Sequence, residues 1–397
     1  MVVTRLGCQN FRNLRDGELF PCPGVNVIYG GNAQGKTNLL EGLWLFTGGH
    51  SFRGAKDVEL PRLDTATGEN APTAALALDF FSEGREQKAL LQFENGRRSS
   101  VINGVKKKTG SALVGKVCAV IFSPEHLLLV KEGPARRRGF LDGALCQIRP
   151  SYAGMLHVYQ RALSQRNALL KDIGRFPELR DTLEVWDARL IQLGAAVMEE
   201  RRRYVEKIAP QAQEIYRGIS RGKEELSLSY APSPRLPEGS SQQDWIELFK
   251  TELRRTEASD VRSGFTSVGP HRDDLEITLG GLSARMYGSQ GQQRSAVLAL
   301  KLAEAQALSQ LTGELLGEKP LVPGHHQQVE LGLLAVAEEQ ILADQRPQGP
   351  VDVGADLHGL RRRVVDALVG HPEGIQQIVT AHFFGGPPVQ IGGAAGL

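Results

Sequence analysis

The stretch that most constrains this chain is "VNVIYGGNAQGKTNLLEGLWLF", Val25 to Phe46. Gly30, four further residues and then Gly35-Lys36-Thr37 match the pattern G-x-x-x-x-G-K-[ST] of a phosphate-binding loop. Before it, "GVNVIYG" reads as a short buried strand; after it, Leu39, Leu40, Leu43 and Phe46 recur at helical spacing. Strand, loop and helix is the order such a cradle requires. Glycines let successive backbone N–H groups face an anion, and the helix N-terminus adds the positive end of its dipole. Lys36 is then placed to reach β- and γ-phosphates, and the Thr37 hydroxyl to ligand Mg²⁺. Gly30, Gly31, Asn32, Ala33, Gln34, Gly35, Lys36 and Thr37 are therefore the candidate nucleotide-binding residues. Lys36 carries a catalytic role and Thr37 a metal-binding one. The competing reading is a glycine-rich strand-to-helix turn that binds nothing, which the full motif in this context disfavours.

With 397 residues, 41% hydrophobic and 23% charged, the chain can build two or three lobes with real cores. A formal net charge of +2 leaves the partner open, because a polyanion-binding face can hide within a nearly neutral total. The opening "MVVTRLGCQNFRNL" lacks a basic segment followed by an apolar one, and no apolar run reaches the roughly 18 residues of a membrane span. A cytoplasmic location is expected. Cys8, Cys22, Cys118 and Cys146 form no C-x-x-C pair, so they read as ordinary thiols.

A second constellation is "YGSQGQQRSAVLALKLAEAQAL", Tyr287 to Leu308, where small and amide residues lead into a long helix. A Ser-x-Gly-Gln segment at a helix start offers a hydroxyl, a flexible backbone and a dipole to an anion. The plainer alternative is a serine-capped helix. Two anion sites in one chain imply two chains sharing each nucleotide.

At this point the chain resembles the RecF family, bacterial DNA replication and repair ATPases related to SMC-type and ABC ATPase heads. The resemblance rests on "QNFRNL" (Gln9 to Leu14), "GGNAQGKTNLLEG" (Gly30 to Gly42), "SFR" (Ser51 to Arg53), "FSPEHLLLVKEGPARRRGFLD" (Phe122 to Asp142), "VGPHRDDL" (Val268 to Leu275) and "SQGQQRS" (Ser289 to Ser295). It implies an α/β, ABC-type P-loop ATPase head with an inserted, mainly helical second lobe. It also implies ATP and Mg²⁺ as ligands and an ATP-dependent homodimer in which Ser289, Gly291, Gln292 and Gln293 meet the γ-phosphate in trans. The implied partners are single-stranded, gapped or duplex DNA and the proteins RecO and RecR, which together help load RecA at gaps and support the SOS response.

Residues 1–115 read as the first, strand-rich part of the ATPase lobe, including "TAALALDFF" and the ribbon "ENGRRSSVINGVKKK". Residues 116–294 read as the helical lobe, with a long antiparallel hairpin between Ser151 and Gly222 and a surface loop at "SYAPSPRLPEGSS". Residues 295–397 return to the ATPase lobe. Of the basic clusters, Arg136–Arg138, Arg201–Arg203 and Arg361–Arg363 read as solvated helix faces paired with nearby acids. Lys106-Lys107-Lys108, at a turn without local acids, is the candidate DNA contact. The trio His271, Asp273 and Asp274 is attributed to the family motif rather than to a metal.

The pattern fails in one place. Chains of this family carry, soon after the signature helix, four aliphatics, an Asp-Asp pair and a Glu-Leu-Asp turn. No aliphatic run ends in Asp-Asp after residue 316 here. One register puts His325-His326 at the acid pair, a poor oxygen site for Mg²⁺. The preferred register uses "VDVGADLH", with Asp352 as the catalytic and metal-binding acid and "IQQIVTAHF" as the last strand. The tract 323–350 then reads as inserted or out-of-frame sequence, and hydrolysis as weak or absent. Two alternatives remain open: a nucleotide-gated DNA-binding protein without turnover, and the nucleotide-binding subunit of a membrane ABC transporter.

Overall fold

The computed structural model describes residues 1–22, 25–29, 31–63, 72–107, 110–235, 241–316, 333–334 and 381–382. They fall into two compact units, Met1–Leu127 with Glu304–Leu397, and Leu128–Ala303. The sequence reading places these breaks at 115/116 and 294/295.

Unit 1 opens with β1 (Val2–Gln9), β2 (Gly17–Leu19), β3 (Val25–Asn26) and helix α1 (Lys36–Leu45). The hairpin strands β4 (Ala74–Ser82), β5 (Arg85–Glu94), β6 (Arg97–Ile102) and β7 (Val105–Lys107) follow, then β8 (Val120–Ile121). Six of these form an antiparallel sheet in the order β2-β1-β4-β5-β6-β7. The register pairs Ser82 with Arg85, Glu94 with Arg97 and Ile102 with Val105, so each hairpin turns on two residues. Those pairs are Glu83-Gly84, Asn95-Gly96 and Asn103-Gly104, all with positive φ, the backbone that a right-twisted two-residue hairpin demands. Along β4 and β5 alternate side chains turn inward: Leu76, Leu78 and Phe80 face the core with Ala89, Leu91 and Phe93. Leu40, Leu43 and Leu45 of α1 join the same cluster, beside Phe11.

Unit 2 contains α2 (Leu128–Lys131), α3 (Pro134–Ile148), α4 (Pro150–Ile173), α5 (Leu183–Ser220), β9 (Leu226–Ala231), α6 (Gln242–Ser263), β10 (Asp274–Leu279), β11 (Leu282–Ser283) and α7 (Ala284–Tyr287). Helix α8 (Gln290–Leu316) begins here and carries the boundary between units within its length. Arg149 meets Glu200 and Arg166 meets Asp187, so α4 and α5 run antiparallel, as the hairpin reading expects. Tyr159, Leu190, Phe249 and Leu253 fill the space among α4, α5 and α6. The segment read as a surface loop begins instead inside β9, because Ser229, Tyr230 and Ala231 pair with β10. The later pieces of unit 1 are β12 (Leu333–Leu334) and β13 (Ala381–His382), which complete a second sheet in the order β3-β13-β12-β8.

Unit 2 is tied together by buried charge. Arg201 gives two hydrogen bonds to the Asp142 carboxylate, at 2.9 and 2.8 Å, one to the Pro270 carbonyl at 2.6 Å and one to Asp273 at 3.2 Å. Asp273 also accepts from the Tyr230 hydroxyl and from the Ser233 amide. Asp274 receives Arg137 in a two-bond fork at 2.6 and 2.9 Å. Only Arg202 and Arg203 of their triplet keep the expected local pairing, both with Glu199. Arg201 and Arg137 instead turn inward, because each finds carboxylates from other segments there. Arg136 pairs with Glu132 as expected, and Arg138 gives a hydrogen bond to the Asp273 carbonyl.

His271 is enclosed in the same region. Its Nε2 faces the Thr266 carbonyl at 2.9 Å, which can only accept, so the proton sits on Nε2 and Nδ1 accepts from Tyr159 at 2.7 Å. Burial lowers its pKa to about 4. The unfolded chain therefore takes up a proton through pH 6.5 that the folded chain refuses until about pH 4. This contribution is complete above pH 6.5 and is lost as pH falls towards 4. Burial raises Asp273 to about 6, an opposing effect below that pH. Comparison with His271→Gln, which retains a donor and an acceptor, cancels the Asp273 effect. Relative to that variant, the wild type is expected to lose about 3 kcal/mol of stability between pH 7 and pH 4, read from urea unfolding at each pH.

Candidate functional site: a phosphate-binding loop and its brace

The loop before α1 turns through left-handed backbone at Ala33 (φ 62°) and Gly35 (φ 97°). Alternating right- and left-handed residues gather successive N–H groups into an anion-sized concavity. Gly35 is required twice over: a Cβ there would lie 2.5 Å from Leu14 Cδ2 and 2.7 Å from Asn13 Oδ1. No side chain caps the N-terminus of α1, and its first turn holds no acid. In α6, by contrast, Ser241 and Asp244 cap one another. The Lys36 ammonium folds back over its own loop and donates to the Gly31 carbonyl at 2.9 Å. Gly31, Asn32, Ala33 and Gln34 are exposed, and Thr37 opens α1 half-buried. Gly30 lies outside the described residues.

Two short motifs, "QNFRNL" and "SFR", converge on α1 and brace it. The Glu41 carboxylate has no exposed side-chain surface; Arg12 forks onto it at 2.9 and 2.8 Å, and the Ser51 hydroxyl donates to it. Asn38 accepts from Arg53 at 2.8 Å and donates to Asn13 at 2.7 Å, while Asn13 donates to the Ala33 carbonyl at 2.6 Å. The motifs that hold Arg12, Asn13, Asn38, Glu41, Ser51 and Arg53 are legible in the sequence, but the roles of these six residues are not. One signal is present: Glu41 lies between Leu40 and Leu43 on the helix, where an acid must have a partner.

In unit 2 the segment Ser289–Gln293 starts α8. The Ser289 hydroxyl accepts from the Gln292 amide at 3.3 Å, and the Gln292 side chain accepts from the Ser289 amide at 2.6 Å. This is a reciprocal capping box in its Ser-x-x-Gln form. Gln292 also donates to Glu224. Ser289 and Gly291 are exposed, whereas Gln293 is buried with its amide committed to the Ala284 carbonyl at 3.0 Å. The capped-helix reading of this segment is thus realised in the structure, and it leaves the Ser289–Gly291 surface accessible.

Among the described residues no cluster of His, Cys, Asp or Glu is arranged to hold a metal. His271, Asp273 and Asp274 are engaged by tyrosine, serine and arginine groups, consistent with the non-metal reading. Lys106 and Lys107 stand exposed on the edge strand β7; Lys108 and Asp352 lie outside the described residues. Strand β12 comes from the tract 323–350 and runs parallel to β8, so part of that tract joins the sheet carrying β3. The sequence continues from it as Ala335-Val336-Ala337-Glu338-Glu339, an apolar run closing on two acids that the sequence reading passes over. Among the described residues no helix is long and apolar enough to cross a membrane.

Strand, braced loop and helix in one unit and a capped helix start in the other define an ABC-type P-loop ATPase head with a helical lobe. A family described as AAA domain matches residues 5–118. DNA replication and repair protein RecF of Acetivibrio thermocellus is 39% identical over 79% of this chain and 84% of its own. Its counterpart in Heliobacterium modesticaldum is 38% identical over 79% of this chain and 82% of its own. A solved structure described as the recombination mediator protein RecF-ATP in the RecFOR pathway superposes with a TM-score of 0.72 at 37% identity, covering 78% of this chain and 83% of its own. The chain belongs to the RecF family.

The brace predicts a measurable cost. Glu41→Ala removes the only acceptor shared by Arg12 and Ser51 in these contacts, and is expected to destabilise unit 1 by about 3 kcal/mol. Urea unfolding followed by hydrogen exchange of the β4–β5 amides reports it.

Proposed function

We propose that the chain is an ATP-binding, DNA-binding head that pairs with a second copy around the nucleotide, acting in DNA replication, recombinational gap repair and the SOS response. RecO and RecR are its partners in helping to load RecA. The observation that carries this reading is the uncapped, left-handed loop at Gly31–Thr37 with Lys36 folded over it. That arrangement has donors and a cation but no acid, which is the chemistry of a triphosphate site. The RecF relative solved with ATP supports the choice of nucleotide.

The amides of residues 31–37 hold the phosphates, and Lys36 exchanges the Gly31 carbonyl for phosphate oxygens. Thr37 would hold Mg²⁺ through its hydroxyl, and the ion would supply positive charge to the bound triphosphate. The second metal-holding group is Asp352 or, following β12, Glu338. Ser289, Gly291 and Gln292 of the other copy close on the γ-phosphate with the exposed start of α8. Gln293 positions that start from beneath through Ala284. Lys106 and Lys107 contact DNA phosphates, with Lys108 beside them in sequence. Because no aliphatic run in the sequence after residue 316 ends in Asp-Asp, a second reading is a nucleotide-gated DNA-binding protein that does not turn over.

Binding to a gapped duplex, with and without ATP and across salt, is the direct test. ATP is expected to tighten binding about ten-fold or more in the wild type and not in Lys36→Met. Replacing Lys106 and Lys107 by alanine is expected to flatten the salt slope by about 2. Salt-insensitive binding, or none, overturns the reading. Phosphate release from the same samples above the Lys36→Met level excludes the non-hydrolysing form. Ser289→Asp keeps a helix cap but sets a negative charge against the γ-phosphate. It is expected to abolish ATP-induced pairing in sedimentation while each monomer still binds ATP; undiminished pairing rejects the trans contact.

A further inference from the structure

The contacts of the loop brace contain a hydrogen-bond chain with a fixed direction. Arg53 can only donate, so the Asn38 side chain must present its oxygen to it, at 2.8 Å. The Asn38 nitrogen then faces the Asn13 oxygen, at 2.7 Å. The Asn13 nitrogen in turn faces the Ala33 carbonyl, at 2.6 Å, and a carbonyl can only accept. A donor-only guanidinium at one end and an acceptor-only carbonyl at the other therefore fix both amide orientations. Each bond polarises the next in such a chain.

The chain is anchored independently of the loop it reaches. Arg62 donates to the Asn13 carbonyl at 3.1 Å, Arg12 N donates to Leu60 O at 2.8 Å, and Arg62 N donates to Asn10 O at 2.8 Å. The turn Asn10–Leu14 is thus fastened to residues 60–62 before it touches residues 33–35. Its effect on the loop follows from the planar trans peptide: the Ala33 carbonyl and the Gln34 N–H point in opposite directions. Holding that carbonyl on the Asn13 side turns the Gln34 N–H to the other side of the loop. Ala33 is also a non-glycine residue at positive φ, a conformation that needs an outside hold.

We propose that Asn13, Asn38 and Arg53 are positioning residues that set the crest of the phosphate-binding loop before nucleotide arrives. This rests on reading residues 31–37 as a nucleotide cradle. The three side chains act through the Ala33 peptide, so their removal loosens the loop without emptying the core.

Two measurements on the full chain test it. The first is amide hydrogen exchange of residues 31–36 without nucleotide, which does not depend on binding. Asn13→Ala, and Asn13→Asp, which keeps the size but loses the donor, are each expected to speed exchange there about ten-fold, with β4 and β5 unchanged. The second is calorimetry with a non-hydrolysable ATP analogue. Asn13→Ala and Asn38→Ala are each expected to weaken binding five- to ten-fold, and the double variant no more than the weaker single one, because one chain is broken either way. Wild-type exchange rates in both Asn13 variants, or affinity losses that multiply in the double variant, overturn the proposal. Faster exchange with unchanged affinity overturns its link to binding. If the wild type binds no nucleotide while Lys36→Met behaves identically, the cradle reading fails, and the exchange result still decides the positioning role.

Discussion

A charge withdrawn from water must meet an opposite charge in good hydrogen-bonding geometry, and each unit contains such a meeting. In unit 1 it is Glu41 with Arg12 and Ser51; in unit 2 it is Arg201 with Asp142 and Asp273. Each joins segments remote in sequence: residues 12, 41 and 51 in the first, residues 142, 201 and 273 in the second. Removing Glu41 or Arg201 takes the shared opposite charge from the groups that remain, so the segments stay together or the unit opens. Glu41 anchors α1, the helix that follows the candidate phosphate-binding loop.

The second meeting explains a motif that invites a different interpretation. His271, Asp273 and Asp274 have the residue types of a metal site, yet their lone pairs and protons are already taken. Tyr159 and Thr266 hold the imidazole, Tyr230, Ser233 and Arg201 hold one carboxylate, and Arg137 holds the other. A cation would have to displace two guanidinium groups. The triad is therefore a clasp within the helical lobe, and the basic triplets at 136–138 and 201–203 are its other half as much as they are surface.

The segment proposed to meet the γ-phosphate in trans also satisfies the start of its own helix. Ser289 and Gln292 satisfy the start of α8 by capping each other. The cap leaves Ser289 and Gly291 at the surface on a helix N-terminus, so the dipole still faces outward. A helix start held by its own first turn can approach an anion without first being ordered by it. The loop before α1 is held by another route, through Asn13 of the turn after β1, while residues 51–53 hold α1 itself.

The sequence by itself determined the local elements and the place of the candidate site. The Gly-Lys-Thr spacing, the Asn-Gly turns of the β5–β6–β7 ribbon and the helical periodicity of 150–220 depend on backbone conformations and side-chain spacings that neighbouring residues impose on each other. The motifs from "QNFRNL" to "SQGQQRS" were enough for the family. Tertiary structure alone decided what those motifs do within the fold. Nothing in "SFR" or "QNFRNL" shows that Ser51 and Arg12 share one carboxylate, nor does "RRR" show which arginine turns inward. Within the triplets at 136–138 and 201–203, Arg137 and Arg201 are the ones that pair with carboxylates from distant segments. A buried charge is tolerable only where chain folding delivers its partner, and that delivery is a property of three dimensions rather than of spacing along the chain.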